Sequence, residues 1–409
     1  MLEILFFCSL GILVGIFAGL CPGMHPNTLF FITLALSSVL NVDVYSLIAF
    51  VIALSITDLF MNYIPNIFLS VPDSSLVLNV LPGHKLVLEG KGYEALFISI
   101  LSAFGTLILT VVLLPVLIKI LPSIHSSIYP FIHILLFLTI IWMCLIEKGI
   151  KNKIFCVLMY FLSGIWGILC LNSPLIKNDE VLFPSLMGLF GLSSLLLSLN
   201  QKSSLPKQNL SKEINVGKIW KSILIGFFAG LMSGILPGIG QAQAATMLST
   251  FGKLSTKEFL GALSGINMAN FAFSIISLYS LGKIRSGAAA MIEKIADFDF
   301  NKLLFSLCIM IFSSSLATLL TWSFGKKFLN FLQKINYKIL TKIIIISILF
   351  MVFQFTGFMG LFILLISTCM GILPQILGVK RTSNMGFLMV QTLIYFAGFN
   401  DFVLNFILS

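Results

Sequence analysis

From Val44 to Leu69 the chain runs through 26 residues with a single charged side chain, Asp58. A helix crossing the ~30 Å hydrocarbon core of a bilayer needs roughly 20 apolar residues. This stretch is long enough to span. Similar stretches follow: Ala95–Leu121, Ile128–Ile146, Ile154–Leu171 and Val181–Leu199, then Phe259–Leu281, Leu303–Phe324, Ile339–Phe355, Phe358–Leu373 and Met385–Leu408. Two shorter pairs, Ile4–Leu20 with Thr28–Leu40 and Ile219–Leu236 with Ala242–Phe251, are each interrupted near a Pro-Gly. The chain is 58% hydrophobic and 10% charged, against about 25% charged in a soluble domain. It cannot cover its surface with polar groups in water. The runs also lack the polar–apolar alternation of a membrane barrel. The expected fold is an all-α polytopic membrane protein of the cell membrane, with the lipid bilayer as its surroundings.

The Pro-Gly pairs recur in register. Gly11, Gly15 and Gly19 precede Pro22-Gly23, and Gly226, Gly230 and Gly234 precede Pro237-Gly238, each 215 positions after its counterpart. Such self-similarity marks an internal repeat. It divides the chain into a first transmembrane repeat at 1–199, a linker at 200–217 and a second repeat at 218–409. Each half then reads as one helix, a Pro-Gly break, a short helix and five spans. If the broken hairpin enters and leaves on one side, five crossings invert the second half. With the linker in the cytoplasm, 19 of the 25 Lys and Arg fall on the cytoplasmic side, the Lys326–Lys342 cluster among them. The other 6 (Lys119, Lys177, Lys283, Arg285, Lys294 and Lys302) fall outside. That asymmetry follows the positive-inside rule, and it puts both termini outside.

The net charge of +10 does not imply a nucleic-acid partner, because the basic residues sit between hydrophobic spans. The seven Cys (8, 21, 144, 156, 170, 308 and 369) are scattered without a CxxC pair, and the four His (25, 84, 125 and 133) form no HExxH. No metal is expected beyond a possible Na⁺. There is no GxxxxGK[ST], and PGIGQAQ keeps only the first glycine pair of a GxGxxG. No Ser/His/Asp arrangement stands out, so no enzyme and no organic cofactor are expected. Transport energy would come from a Na⁺ or H⁺ gradient. The N-terminus, Met-Leu-Glu, lacks the basic n-region of a leader, and its internal copy argues that it belongs to the fold.

Glycines four apart fall near one helix face and let a second backbone approach closely. Gly11, Gly15, Gly19, Gly226, Gly230 and Gly234 are therefore expected to serve packing. A Pro-Gly break at membrane depth frees backbone groups that only protein, water or ligand can satisfy. The helix restarting after it, at Asn27 or Thr28 and again near Gln241, offers a positive N-terminus to an anion. Candidate substrate-binding residues are therefore Pro22, Gly23, Met24, His25 and Asn27, with Pro237, Gly238, Gly240, Gln241 and Gln243 in the second copy. Ordinary kinks and packing ladders remain the plainer alternative. Polar groups inside spans are few and costly. Thr57, Asp58 and Asn62 are candidates for ion coupling, as are Asn267 and Asn270 in the corresponding region GINMANFAFS. The loop Val71–Glu94 is long and partly apolar, and it is expected to lie along the membrane face.

The motifs CPGMHPN and LPGIGQAQA, each after a Gly-x-x-x-Gly helix, resemble the large membrane subunit of tripartite tricarboxylate transporters, the TctA-like permeases. The stretch IPNIFLSVPDSSLVLNVLPGHKLVLEGKGYEA is similar to an archaeal-type branch of that family. The resemblance covers essentially the whole chain. It implies ion-driven uptake of a small organic anion such as a di- or tricarboxylate, assisted by an extracytoplasmic binding protein and a small membrane subunit. The chain departs from the pattern at Met24-His25-Pro26 and at Gln241, where a proline is expected. A polyprenyl-phosphate translocator and a non-transporting membrane scaffold are the competing readings. The first needs a groove open to lipid, whereas a tricarboxylate needs a closed, more cationic pocket.

Overall fold

The computed structural model describes residues 1–20, 42–69, 80–172, 178–199, 208, 219–235, 244, 254–332 and 337–400. These residues are helical nearly throughout, with no strand among them. Helix α1 (Leu2–Leu20) is followed by α2 (Val44–Met61), and α3 (Tyr63–Leu69) continues α2 past a turn at Asn62. Next come α4 (Val80–Leu88), α5 (Gly92–Val112), α6 (Leu114–Ile128), α7 (Ile132–Leu145) and α8 (Ile150–Leu171). Then α9 (Asn178–Leu186), a wide π-type turn over Met187–Leu192 and α10 (Ser193–Leu199) form one rod. The second half supplies α11 (Ile219–Ile235), α12 (Thr256–Leu281), α13 (Gly287–Ile295), α14 (Phe300–Leu332), α15 (Tyr337–Leu377) and α16 (Gly386–Phe396).

Among the described residues eight stretches are long and apolar enough to cross a membrane: Leu2–Leu20, Val44–Leu69, Gly92–Val112, Leu114–Leu145, Ile150–Leu171, Thr256–Leu281, Phe300–Phe331 and Thr341–Leu377. The surface around them displays large apolar side chains, among them Phe6, Phe161, Ile346, Phe350 and Phe362. In water that would be a sticky patch of a kind soluble monomers avoid. In lipid it is the matching solvent face. The protein is a multi-pass membrane protein.

Leu114–Leu145 and Thr341–Leu377 are each divided. Leu114–Leu145 is interrupted by a 3₁₀ turn at Tyr129–Phe131 that contains Pro130. The long helix α15 breaks at Gly357, whose φ of 64° and ψ of −158° suit glycine alone among ordinary residues. A Cβ on Gly360 would lie 3.4 Å from Val352 Cγ1, eight residues back. In a straight helix eight residues span about 12 Å, so the chain folds back here. The arms 337–356 and 358–377 correspond to the expected spans Ile339–Phe355 and Phe358–Leu373. The expected span Ala95–Leu121 is divided instead. It breaks at Leu113, and Pro115 stands at the start of α6.

Helix ends are set locally. Asp43 caps α2, accepting from the Tyr45 N–H at 3.1 Å, and its own N–H donates to Glu3 Oε1 at 3.3 Å beside the start of α1. Ser255 and Glu258 form a capping box on α12, which ends on left-handed Gly282. Helix α4 buries Leu86 and Val87 and lays Gly83 against Ile67 of α3, so this part of the 71–94 loop packs on the bundle.

Directions follow from which residues meet. Tyr45 stacks edge-on with Phe305, and Thr321 Oγ1 donates to Met61 Sδ at 3.2 Å, so α2 and α14 are parallel. Gly261 abuts Ser102 and Gly265 abuts Thr106, so α12 and α5 are parallel, with Lys257 and Glu94 ion-paired at their shared start. The start of α5 meets the far part of α14 through Phe97 and Trp322 (ring centroids 5.7 Å apart), so those two are antiparallel. Two sets of helices, one with α2 and α14 and one with α5 and α12, thus run in opposite directions around one core.

Candidate functional site

The glycine ladders set the geometry of the site. A Cβ on Gly11 would lie 2.6 Å from the Phe50 carbonyl, one on Gly15 2.6 Å from that of Leu54, and one on Gly19 2.6 Å from that of Asp58. Contacts that close leave no room for any side chain, and they hold α1 parallel to α2. In the second half Gly226 meets Gly265, Gly230 meets Ala269 and Gly234 meets Phe273. Every one of these six pairs is separated by 39 residues, as Gly11 is from Phe50. The two ladder pairs are therefore built alike, and they belong to the two oppositely directed sets.

The last turn of each ladder helix meets polar groups. At the end of α1, the Gly15 position contacts Thr57 Cβ (2.8 Å) and the Gly19 position contacts the Asp58 carbonyl and the Asn62 N–H nitrogen (2.6 and 3.0 Å). Thr57, Asp58 and Asn62 thus gather where α1 delivers the chain towards Pro22-Gly23. Asp58 is buried at 6% exposure, and among the described residues it is the one carboxylate in the middle of a span. Thr57 is fully buried, and its Oγ1 has no hydrogen-bond partner among the described groups. Just beyond, Pro65 offers no N–H, so the Met61 carbonyl lacks its i+4 donor. At the end of α11, Ser233 donates to Asn270 Oδ1 at 3.3 Å, four positions before Pro237 in the sequence.

Tyr63 joins the two halves. It is fully buried, its hydroxyl donates to the Ser264 carbonyl at 3.2 Å, and it also hydrogen-bonds the Asn267 side chain. This brings Asn267 beside the Asp58–Asn62 turn. Tyr63 and Ser233 were not singled out from sequence. A lone tyrosine next to Asn62 and a serine inside the ladder Gly230-Leu-Met-Ser-Gly234 were the available signals.

The register also refines the correspondence between halves. The position equivalent to Asp58 is Phe273, while Asn267 and Asn270 match Ile52 and Ser55. The amides are therefore no direct replacement for the carboxylate, and the two halves carry different polar chemistry on one packing plan. Pro22, Gly23, Met24, His25, Asn27, Pro237, Gly238, Gly240, Gln241 and Gln243 lie outside the described residues.

Residues 5–386 match the family described as Tripartite tricarboxylate transporter TctA family. The chain belongs to this family. An uncharacterized protein of Methanocaldococcus jannaschii is 31% identical over 400 residues, covering 96% of this chain and 98% of that relative. This agrees with an archaeal-type branch of the TctA family. No solved structure matches the chain. The TctA family is a transporter family, and its members form the large membrane subunit of a system that includes a binding protein and a small subunit.

Proposed function

We propose that this TctA-family protein is a secondary active transporter that takes up a small organic anion, a di- or tricarboxylate, on a Na⁺ or H⁺ gradient. The observation that carries the proposal is the paired ladder. Two helix pairs of identical register run in opposite directions, and each ladder helix ends, with polar groups around its last turn, shortly before a Pro-Gly of the sequence. Secondary transporters commonly build their sites from discontinuous helices of inverted repeats near the midplane. Repeats at 1–199 and 218–409, a cytoplasmic linker at 200–217 and outside termini fit the charge asymmetry of the sequence.

The roles divide by charge. The C-terminal end of α1 is the negative end of a helix dipole, and Asp58 with Asn62 stands beside it. That combination suits the coupling cation, with Thr57 at hand. The anion is assigned to the restarting helix N-termini after each break, through Pro22, Gly23, Met24, His25 and Asn27, and through Pro237, Gly238, Gly240, Gln241 and Gln243. Asn267 and Asn270, held by Tyr63 and Ser233, line the approach from the second half. A binding protein outside and a small membrane subunit are the proposed partners.

The test is uptake of labelled citrate into liposomes holding the purified protein, under imposed Na⁺ or H⁺ gradients. Gradient-dependent uptake that Asp58→Asn abolishes, with the variant still inserted, is expected. Gradient-independent uptake in both proteins would remove Asp58 from coupling. Absence of carboxylate uptake with specific binding of polyprenyl phosphate would favour a lipid-phosphate translocator.

A further inference from the structure

The turn that joins α15 to α16 concentrates buried polar groups that the proposed transport site does not use. Arg381 opens a single 3₁₀ turn, Arg381–Met385. Its Nη2 donates to the Phe190 carbonyl at 2.9 Å and to Ser193 Oγ at 3.1 Å, and also to Ser194 Oγ. The guanidinium thereby latches the wide turn Met187–Leu192 to the start of α10. All three acceptors are neutral. Desolvation pulls the Arg381 guanidinium down to about 10. The buried carboxylate at this turn, Glu147, accepts from the backbone N–H of the neighbouring Lys380 at 3.0 Å and makes no ion pair with Arg381 among the described groups.

Two further observations point to a ligand. Arg381 Nε is buried without a hydrogen-bond partner among the described groups. Asn384, three residues on, is 0% exposed, and neither its Oδ1 nor its Nδ2 has a partner there. Side chains at i and i+3 of a 3₁₀ turn eclipse each other, so Arg381 and Asn384 project from the same side. Together they present N–H donors and one acceptor beside an uncompensated positive charge, a combination that burial makes unfavourable until an anion is present. The rim is basic as well. Lys148, Lys151 and Lys380 are exposed, and Asn152 Nδ2 donates to the Gly378 carbonyl at 3.3 Å, tying the lysine-bearing start of α8 to the residue after α15, while the turn itself lies further along α8, where Ser163 Oγ donates to the Ser383 carbonyl at 3.2 Å.

We propose that Arg381 and Asn384 form a binding site for a small oxyanion, a carboxylate or phosphate group, entered from the lysine-rimmed end of the bundle. The same chemistry can be supplied by a free anion or by the phosphate of a lipid headgroup. It stands independently of the transport site around Asp58.

The experiment is calorimetric titration of the full-length protein with inorganic phosphate in maltoside detergent, which carries no phosphate. Saturable binding by the natural protein is expected. Asn384→Leu keeps the side-chain volume, leaves the Arg381 latch alone and should weaken binding about tenfold or more, the loss expected for hydrogen bonds to a charged group. Arg381→Lys keeps the charge but not the forked donors and should weaken it to a similar degree. Because Arg381 also holds the wide turn, Asn384→Leu decides the matter if Arg381→Lys fails to fold. Repeating the titration in phosphatidylglycerol nanodiscs separates the sources. Unchanged affinity assigns the site to a soluble oxyanion, and lost affinity assigns it to a headgroup. Absence of phosphate binding by the natural protein in maltoside, or equal binding by Asn384→Leu, overturns the proposal, and the buried amide then holds water alone.

Discussion

Gly230→Ala tests the ladder by placing one methyl group where the structure has no room for it. The new Cβ would sit 2.2 Å from Ala269 Cβ, while Ala269 Cα and the Ile266 carbonyl stand at 3.3 Å. Two carbons need about 3.5 Å, so α11 and α12 must part by more than 1 Å or tilt. Overpacking of this kind costs about 1–3 kcal/mol. Helix propensity acts the other way, since alanine in a helix is favoured over glycine by about 1 kcal/mol. The sign of the net effect therefore separates the two causes. A free-standing helix would gain about 1 kcal/mol, whereas the packed pair should lose up to about 2 kcal/mol. The second-site partner is fixed by the geometry. Ala269→Gly moves the methyl from one helix to the other, leaving the summed propensities unchanged and removing the 2.2 Å clash. The double variant should return to within about 0.5–1 kcal/mol of the natural protein, a coupling of about 1–3 kcal/mol. The assay is unfolding of the purified protein in maltoside by graded SDS, comparing all four members of the cycle. A stabilising Gly230→Ala, or a cycle that shows no coupling between Gly230→Ala and Ala269→Gly, refutes the close packing of α11 on α12.

Tyr63→Phe removes the hydroxyl that reaches Ser264 and Asn267. The same SDS assay should show a loss of about 1 kcal/mol, and no change would break the link between the halves. Gln208 accepts from the Gly92 N–H at 2.9 Å and donates to the Val87 carbonyl at 2.8 Å, pinning one point of the linker to the α4–α5 turn. Gln208→Leu should speed amide exchange at Gly92 and proteolysis within 200–217, and protection equal to that of the natural protein would show that the pin is dispensable. For topology, single cysteines near 177 and 290 in a cysteine-free background should label from outside, and those near 210 and 332 from inside. Labelling at 332 from outside would rule out the inverted arrangement.

Much of the helix layout was legible because a bilayer imposes a coarse rule on the chain. Val44–Leu69 and Ile154–Leu171 are recognisable by length and apolarity alone, and the structure has them as Val44–Leu69 and Ile150–Leu171. Breaks inside apolar sequence were not. Leu113 and the wide turn at Met187–Leu192 lie in runs whose composition does not change, so hydropathy carries no sign of them. The glycine ladders were readable as packing faces. Their partners were not, because spacing along one helix does not say which face of another helix it meets. Asp58 stood out as a rare charge within a span, whereas Tyr63 and Arg381 did not. Their importance lies in partners about 200 residues away, Ser264 and Phe190.

The sequence by itself determined that the chain lives in a membrane, that its halves share a glycine ladder ending in Pro-Gly, and that a single carboxylate sits mid-span. Those conclusions follow from local costs, namely charge in hydrocarbon, proline in a helix and bulk at a close contact. Only the tertiary structure decided that both ladders dock with the same 39-residue register, that their helix pairs run in opposite directions, and that Phe273 stands where Asp58 would be repeated. Register and direction are settled by the interlocking of whole helix faces, an energy summed over many contacts between distant segments. No window of sequence contains that sum.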